Sequence, residues 1–249
     1  MTKRLKIISL NVWGLPWPFS HYLKKRLSKT ISFLKDQNAD IVSLQEIWSH
    51  KDVARLKKEF PDYFFVTSGI GEATNQSGLL IMTKFKPLEK FFYMFKRPLS
   101  KRIDETFAGK GILVCLIKLD NKDCFILNTH AFARSKKKHI MFLSKQLKFL
   151  KKIVKRFHSL ILTGDLNINT NEFLEWNDNH LKVSLTKNPE FDKKNPYRKF
   201  APMHYLDDGD TASYIAVKTN PQKIKIKTKI LDNIYLSDHQ PLVSEIEFI

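Results

Sequence analysis

The chain has 249 residues, of which 43% are hydrophobic, and this supply of apolar side chains excludes a predominantly disordered protein. Its 43 lysine and arginine residues outnumber 25 acidic residues and give a net charge of +18. That charge suits a nucleic acid or an anionic membrane surface as partner without choosing between them. With only two cysteines, Cys115 and Cys124, no disulfide framework is implied, although the two could pair if their strands are neighbours.

The N-terminal stretch MTKRLKIISLN predicts a strand and not a secretory signal peptide, because its apolar run is short and ends at Asn11. The aromatic run at 91–95 is flanked by Lys90 and Lys96 and is far too short to span a bilayer. The sequence therefore predicts a soluble or peripheral membrane protein, cytoplasmic or exported without a recognisable signal peptide.

Apolar runs along the whole chain predict about ten strands. They occupy residues 5–11, 40–46, 63–68, 78–84, 111–119, 124–130, 159–167, 213–219, 223–231 and 242–249. One helical pattern covers 21–37, and a clearer one repeats apolar residues at Ile140, Leu143, Leu147, Leu150 and Val154. No linker or fixed-period repeat divides the chain, so we expect a single domain over 1–249. Many strands with few helices predict an α+β fold of two sheets packed face to face with helices outside.

The stretch KIKIKTKIL at 223–231 predicts a strand with two different faces. One face carries lysines and the other isoleucines: Lys223, Lys225, Lys227 and Lys229 against Ile224, Ile226 and Ile230. A charged edge strand that discourages pairing with other chains and a phosphate-binding face both explain this pattern.

Polar residues follow the apolar runs at five places. They are Asn11, Gln45-Glu46, Asn128-Thr129-His130, Gly164-Asp165-Leu166-Asn167 and, before the last strand, Asp238-His239. Each alone is ordinary turn or cap chemistry. Together they supply hard oxygen ligands, an amide donor and two histidines, which is the set that a metal-assisted phosphoester hydrolase needs.

Six short motifs, in chain order, resemble those of the endonuclease/exonuclease/phosphatase superfamily. They are SLNVWGLPWP, LQEIW, FAGKGILV, NTH, GDLN and SDHQPLV. The resemblance covers nearly the whole chain and implies a four-layered α/β sandwich of two mixed β-sheets, as in pancreatic deoxyribonuclease. Within the superfamily the chain looks most like the neutral sphingomyelinases, because of the stretches 11–16, 47–49 and 107–111.

The resemblance implies a divalent-metal-dependent phosphodiesterase. Glu46 would be the main metal ligand, with Asn11 beside it. The metal would be Mg²⁺, with Mn²⁺ or another divalent cation as alternatives. Because Mg²⁺ keeps several waters, so small a ligand set is chemically sufficient.

The remaining motif residues would act on the water and the phosphate. By the resemblance, His239 would be the general base that deprotonates the attacking water, and Asp165 would position that water. Asn167 would donate to a non-bridging oxygen, and His130 would steady the pentavalent phosphate. Asp238 would orient the base or help with a second metal. A histidine suits the role of base because its ordinary pKa lies near neutral pH.

The chain departs from the family pattern at two places. The sphingomyelinase branch commonly has a second histidine just after the first, but here Phe132 takes that position. The base usually has an aspartate partner on the preceding strand, and by spacing Ser213 stands in its place, with Asp232 as the less favoured alternative. With serine as partner, we expect the pKa of His239 to be lower than that of an aspartate-paired base.

Several functions fit these residues. The first is hydrolysis of a phospholipid headgroup by a monomer at a membrane. Three aromatic residues, Trp13, Trp17 and Phe19, would then touch the bilayer, and the basic residues Lys24, Lys25 and Arg26 follow them. A packed loop explains the same aromatic residues. The alternatives are an endonuclease using basic clusters at 136–138 and 193–194, a phosphoinositide phosphatase, and a pseudoenzyme that binds lipid or phosphate without turnover.

Overall fold

Two six-stranded mixed β-sheets form the centre of the molecule in a computed structural model that describes residues 4–69, 75–96, 109–133, 140–200, 210–219, 223–231 and 233–249. The first sheet contains, in spatial order, β11 (Ile224–Ile230), β12 (Leu242–Phe248), β1 (Arg4–Asn11), β2 (Ile41–Gln45), β4 (Leu80–Thr83) and β3 (Phe64–Thr67). The second contains β5 (Glu89–Met94), β6 (Gly111–Leu119), β7 (Lys122–His130), β8 (Leu160–Asp165), β10 (Ser213–Lys218) and β9 (Lys182–Val183).

Helices cover the outer face of each sheet. They are α1 (Leu23–Gln37), α2 (His50–Glu59), α3 (Ile140–Arg156) and α4 (Thr170–Asn177), and a 3-10 turn spans Arg198–Phe200. Leu27, Ile31 and Leu34 of α1 pack on the first sheet. Leu143, Leu150 and Val154 of α3 and Phe173 of α4 pack on the second. The predicted four-layered sandwich is confirmed.

A third group of apolar side chains fills the space between the sheets. Leu5, Ile7 and Ile81 from the first sheet meet Leu113, Ile126 and Ile215 from the second in one buried cluster. The inner strands β1, β6 and β8 are therefore apolar on both faces, since one face meets the other sheet and the other meets helices. This is why their sequences read as continuous apolar runs and not as strict alternation.

The ten predicted strands are present, and the structure adds two strands and two helices that the sequence patterns did not indicate. β5 contains most of the aromatic run at 91–95, which was weighed only as a membrane span, and β9 has only two residues. The helix α2 buries only Val53 and Leu56 of its ten residues, which is too few for a clear helical period. In the described part of the chain no helix is both long and apolar enough to span a membrane.

The strand β11 forms the edge of the first sheet, with Lys225, Lys227 and Lys229 exposed. Its pairing with β12 places Lys225 opposite Glu247 and Lys227 opposite Glu245. Opposite charges in directly paired positions stabilise a sheet, and edge lysines oppose pairing with other chains. The structure favours the edge-strand interpretation of these lysines.

Cys115 and Cys124 lie on the neighbouring strands β6 and β7 and are free thiols. The register pairs Cys115 with Ile126 and Cys124 with Ile117, so the two cysteines are not opposite one another. Burial raises the pKa of both thiols to about 12, which keeps them in the unreactive protonated form.

Candidate active site

The candidate site lies where four strands end at one edge of the two sheets. β1 and β2 run parallel with Asn11 opposite Gln45, and β7 and β8 run parallel with His130 opposite Asp165. Because parallel strands bring their carboxyl ends to the same edge, each pair presents its last polar side chains together. The amide of Asn11 joins the two pairs, since Nδ2 donates to Oε1 of Glu46 at 3.0 Å and to Oδ2 of Asp165 at 3.1 Å.

Buried amide side chains between the sheets support this edge. Nε2 of Gln45 donates to Oδ1 of Asn128 at 2.8 Å, and Nδ2 of Asn128 donates to the carbonyls of Leu44 and Leu80 at 2.9 and 3.0 Å. A buried polar network with satisfied donors specifies one arrangement of the groups that it joins. Gln45 and Asn128 therefore hold the two sheets in register next to the site.

The backbone around Glu46 determines where its side chain points. Glu46 has a left-handed φ of 59°, its carbonyl accepts the N–H of Gly14 at 3.0 Å, and the next N–H, of Ile47, donates to Gly78 at 2.9 Å. A Cβ atom on Gly14 would lie 2.1 Å from the carbonyl oxygen of Glu46, so only glycine permits this approach. The segments Trp13-Gly14 and Gln45-Glu46 thus pack against each other and direct the Glu46 carboxylate into the site.

The Glu46 carboxylate has the properties of a ligand for a hydrated divalent cation. Its Oε2 atom is buried and makes no hydrogen bond within the described ranges. Burial raises the pKa of Glu46, and the charge of Lys110 opposes that rise. The described residues contain no group of three or more His, Cys, Asp or Glu side chains arranged to hold a metal. A buried carboxylate with one oxygen that makes no hydrogen bond fits an ion such as Mg²⁺, which keeps waters and takes one or two carboxylates.

The amide oxygen of Asn11 points away from the carboxylates. It accepts the backbone N–H of Trp13 at 3.0 Å, while the amide nitrogen faces Glu46 and Asp165. In this arrangement Asn11 is a donor that holds the two carboxylates close to each other. Its predicted role as a metal ligand stays a prediction.

The GDLN motif forms a tight turn that directs Asp165 and Asn167 toward the site. Gly164 has a φ of 136°, and a Cβ there would lie 2.0 Å from the carbonyl oxygen of Thr129, so glycine is required for the close approach of β8 to β7. Oδ1 of Asp165 accepts the N–H of Asn167 at 3.0 Å. The Asn167 side chain donates to the carbonyl of Ala131 at 3.1 Å, which ties the turn to the end of β7.

Two histidine rings converge on one oxygen of Asp165. Nε2 of His130 lies 3.7 Å and Nε2 of His239 lies 3.8 Å from Oδ2. Nε2 of His130 is also 3.9 Å from Oε1 of Glu46 and 3.2 Å from Nζ of Lys110. The Lys110 side chain is buried beside these groups, where it supplies a positive charge close to Glu46. Such a cluster can bind a phosphate from several sides.

The other nitrogen of His239 is held by Glu190. Nδ1 of the ring lies 2.6 Å from Oε1 of Glu190, which is completely buried. The carboxylate also accepts the Ser213 hydroxyl at 2.7 Å and the backbone N–H groups of Ala212 and Ser213 at 2.8 and 2.7 Å. Four donors therefore converge on Glu190, which fixes its position and that of the imidazole.

Carboxylates determine the protonation of His239. Burial alone would lower its pKa, but the charges of Asp238, Glu190 and Asp165 outweigh burial and raise the pKa to about 10. Burial raises the pKa of Asp165, against the charge of His239. The expectation of a lower pKa than that of an aspartate-paired base assumed an uncharged partner, whereas Glu190 supplies a charged one.

The segment before β12 is anchored to the end of β1. The Ser237 hydroxyl donates to the Asn11 carbonyl at 2.6 Å and accepts the N–H of His239 at 2.9 Å. The carbonyl of Asp238 accepts from Nδ2 of Asn195 at 3.3 Å. Asp238 is buried near His239 and acts on it through charge, and its predicted part in orienting the base or in a second metal site stays a prediction.

A comparison with protein families matches residues 8–181 to the Endonuclease/Exonuclease/phosphatase family. The chain belongs to this family. Among curated members it is 28% identical to sphingomyelin phosphodiesterase 2 of Mus musculus over 180 residues, which covers 66% of this chain and 42% of that protein. It is 29% identical to inositol phosphosphingolipids phospholipase C of Schizosaccharomyces pombe over 177 residues, with 66% and 41% covered. The match thus spans about two fifths of each relative's length.

Three solved structures match nearly the whole chain. Sphingomyelinase C from Streptomyces griseocarneus has a TM-score of 0.78 at 16% identity, covering 98% of this chain and 99% of that one. Beta toxin from Staphylococcus aureus with bound magnesium ions has a TM-score of 0.76 at 19%, with 97% and 99% covered. D. rerio TDP2 with single strand DNA product has a TM-score of 0.76 at 20%, with 98% of each covered. At these identities the matches establish the fold.

The partner of His239 differs from the one that the sequence predicted. Ser213 stands at the start of β10, opposite Asp165. It does not orient His239 itself but donates to Glu190, so the favoured assignment of Ser213 as the partner is wrong. The alternative, Asp232, lies outside the described residues.

Phe132, which replaces the branch's second histidine, is not part of the site. Its side chain is fully buried and packs near Phe142, and its N–H donates to Oε1 of Gln146 on α3 at 2.8 Å. The apolar side chain therefore belongs to the core between the second sheet and its helices.

Glu190 and Lys110 are site residues to which the sequence patterns assigned no role. Glu190 lies in the aperiodic stretch NPEFD, where the only signal was an acid beside a proline and a phenylalanine. Lys110 stood inside the quoted FAGKG motif, directly before an apolar strand, and this was a signal for a buried cation. Of the two basic clusters proposed for nucleic acid, 136–138 lies outside the described residues, and Lys193 and Lys194 are exposed.

Proposed function

We propose that the chain is a divalent-metal-dependent phosphodiesterase that hydrolyses a phospholipid headgroup phosphodiester, acting as a monomer at a membrane surface. The observation that carries the proposal is the convergence of His130 and the Glu190-held His239 on Asp165, next to the open carboxylate oxygen of Glu46. In the proposal His239 is the base, Asp165 the water-positioning carboxylate and Glu46 the cation ligand, and hydrolysis of a phosphodiester requires these three groups around one point.

Each side chain then has a defined task. A divalent cation held by Glu46 would polarise a phosphoryl oxygen, and its positive charge would lower the pKa of His239. Glu190 holds Nδ1 of His239, so that Nε2 faces Asp165 and accepts the proton of the attacking water. The water oxygen forms a bond to phosphorus, the bond from phosphorus to the lipid oxygen breaks, and that oxygen leaves as an alcohol after taking up a proton from solvent.

The buried donors at the other side of the site suit the phosphate. Lys110 and His130 lie together beside Glu46, and Asn167 lies at the turn after Asp165. Preorganised donors and positive charge stabilise the negative charge that builds on the phosphoryl oxygens in the transition state. We assign this task to Lys110, His130 and Asn167.

The choice of a phospholipid is supported by the names of the relatives. The mouse protein is a sphingomyelin phosphodiesterase and the fission yeast protein acts on inositol phosphosphingolipids, so in both the substrate is a phosphodiester at a lipid headgroup. A nuclease is the second candidate. It is favoured by the net charge of +18 and by the TDP2 structure with single strand DNA product.

A panel of substrates tests the proposal. Purified protein with Mg²⁺ is incubated with sphingomyelin vesicles, phosphoinositide vesicles and plasmid or single-stranded DNA, and the released products are identified by mass spectrometry. We expect a phosphorylated headgroup from vesicles, its loss on adding EDTA, and no release by His239→Ala. Cleaved DNA with intact lipid would identify a nuclease, and no turnover of any substrate would favour the pseudoenzyme.

A further inference from the structure

The loop that links β1 to α1 exposes three large aromatic side chains. In this segment, residues 15–22, here named the aromatic loop, Trp17 is 79% exposed, Phe19 65% and Tyr22 60%. Trp13, which was expected to join them, is buried at 3%, so the earlier grouping of the three aromatics is corrected. Adjacent exposed apolar groups on one loop mark an interaction surface, because leaving them in water costs free energy.

A buried arginine holds the aromatic loop in shape. Arg26, expected among the exposed basic residues, is 1% exposed and donates to the carbonyls of Val12, Trp13 and His21 at 2.5, 2.8 and 2.8 Å. Its Nη2 also lies 3.3 Å from the hydroxyl of Ser20. A guanidinium is buried only where its donors are satisfied. Both ends of the loop are therefore fixed, and Trp17 and Phe19 between them stand out from a rigid base.

The aromatic loop lies beside the candidate active site. It begins four residues after Asn11, and the N–H of Gly14, just before the loop, donates to the carbonyl of Glu46. Its far end contacts the 3-10 turn, because His21 stacks on Phe200 at 4.6 Å and Tyr22 meets the same ring at 5.9 Å. A surface touching these aromatic rings would therefore also lie close to the site.

Basic residues stand next to the aromatic side chains. Lys24 and Lys25 on the first turn of α1 and Lys199 next to Phe200 are exposed. Exposed aromatic rings with lysines beside them match the layers of an anionic membrane, where phosphates lie outside the acyl chains. A binding site for a nucleic-acid strand instead has aromatic rings interleaved with basic residues along a groove. The described arrangement favours the membrane.

We propose that the aromatic loop inserts Trp17 and Phe19 into the interface of an anionic phospholipid membrane and so docks the active-site edge on it. The choice of a lipid surface rests on the proposed function, but the docking is measurable without turnover. Lys24, Lys25 and Lys199 add attraction to lipid phosphates, which salt screens, whereas the aromatic contribution persists at high salt.

Vesicle sedimentation tests the docking. Three proteins are compared: wild type, the double variant Trp17→Ala/Phe19→Ala and the single variant Phe19→Ala. Each is mixed with phosphatidylcholine vesicles, with and without phosphatidylserine, at low and high salt. Phe64→Ala, at a half-exposed aromatic on the edge strand β3, is the matched control. We expect a loss of affinity of about tenfold or more per removed aromatic at both salt concentrations, where tenfold corresponds to about 1.4 kcal/mol of lost apolar burial. Phe64→Ala should bind as wild type does.

Two further arms separate this proposal from the proposed function. Lys24→Glu/Lys25→Glu should weaken binding only at low salt and only to anionic vesicles. The aromatic double variant should keep wild-type turnover of bis-p-nitrophenyl phosphate, a soluble phosphodiester. Equal vesicle binding by wild type and the double variant would overturn the docking. A double variant that loses binding to single-stranded DNA but keeps binding to vesicles would also overturn it. Loss of vesicle binding in a protein without turnover would uphold the docking while the proposed hydrolysis fails.

Discussion

Replacing Glu190 with glutamine is expected to lower kcat by about 10⁴-fold, the loss seen when the acid beside a catalytic histidine becomes an amide. Backbone N–H groups of Ala212 and Ser213 would hold the amide oxygen, so the amide nitrogen would face Nδ1 of His239. The ring would then carry its proton on Nε2 and could not accept one there. The pKa of His239 should also fall, because a negative neighbour is lost. Steady-state kinetics with the substrate cleaved by wild type measures the effect.

Variants at neighbouring positions make this test specific. Ser213→Ala removes one donor to Glu190 but leaves both backbone donors, so a loss of about 10- to 100-fold is expected. Ser213→Asp should lower kcat and not raise it, because a second carboxylate would meet the buried Glu190. Glu175→Gln, at an exposed residue, should behave as wild type. Because Glu190 holds His239, Asp232→Asn should also behave as wild type. Full activity in Glu190→Gln together with a dead Asp232→Asn would show that Asp232 orients the base.

Replacing Glu46 with glutamine should lower metal-dependent turnover by about 10³-fold or more. Charge stabilisation by a bound cation is worth several kcal/mol, and each 1.36 kcal/mol changes the rate tenfold. The substitution removes the buried carboxylate whose Oε2 atom makes no hydrogen bond among the described residues, while the neutral amide can still meet Asn11. Turnover is measured against Mg²⁺ concentration for both proteins.

Thermal unfolding gives a second reading that does not need turnover. A ligand that binds only the folded state raises stability by RT ln(1 + [L]/Kd), so Mg²⁺ should raise the Tm of wild type. The same titration should leave Glu46→Gln unchanged, whereas the exposed Glu175→Gln should shift as wild type does. An equal Mg²⁺ shift in Glu46→Gln and wild type would show that Glu46 is not the ligand.

The strand-end residues could be predicted from the sequence because local pattern and sheet geometry agree there. Asn11, Glu46, His130 and Asp165 each follow an apolar run, and parallel pairing brings those ends to one edge. Glu190 could not be found in this way. It lies outside any strand or helix and reaches His239 across 49 residues of chain, so only the tertiary structure brings the two together.

The aromatic loop shows a second limit of sequence patterns. Trp13 and Trp17 stand four residues apart in one aromatic stretch, yet one is buried and the other exposed. The difference comes from long-range contacts, since the carbonyl of Trp13 accepts from the buried Arg26 and the N–H of Gly14 donates to Glu46. Composition predicts that the stretch is amphipathic, and only packing decides which ring meets water.

Hydrolysis of sphingomyelin vesicles in ¹⁸O-labelled water tests the central claim most directly. If His239 activates a water that attacks phosphorus, phosphocholine carries ¹⁸O in its phosphate, the lipid alcohol is unlabelled, and EDTA stops the release. Mass spectrometry of both products measures the label. Labelled lipid alcohol with unlabelled phosphocholine, or release that continues undiminished in EDTA, would contradict metal-assisted attack of water on phosphorus.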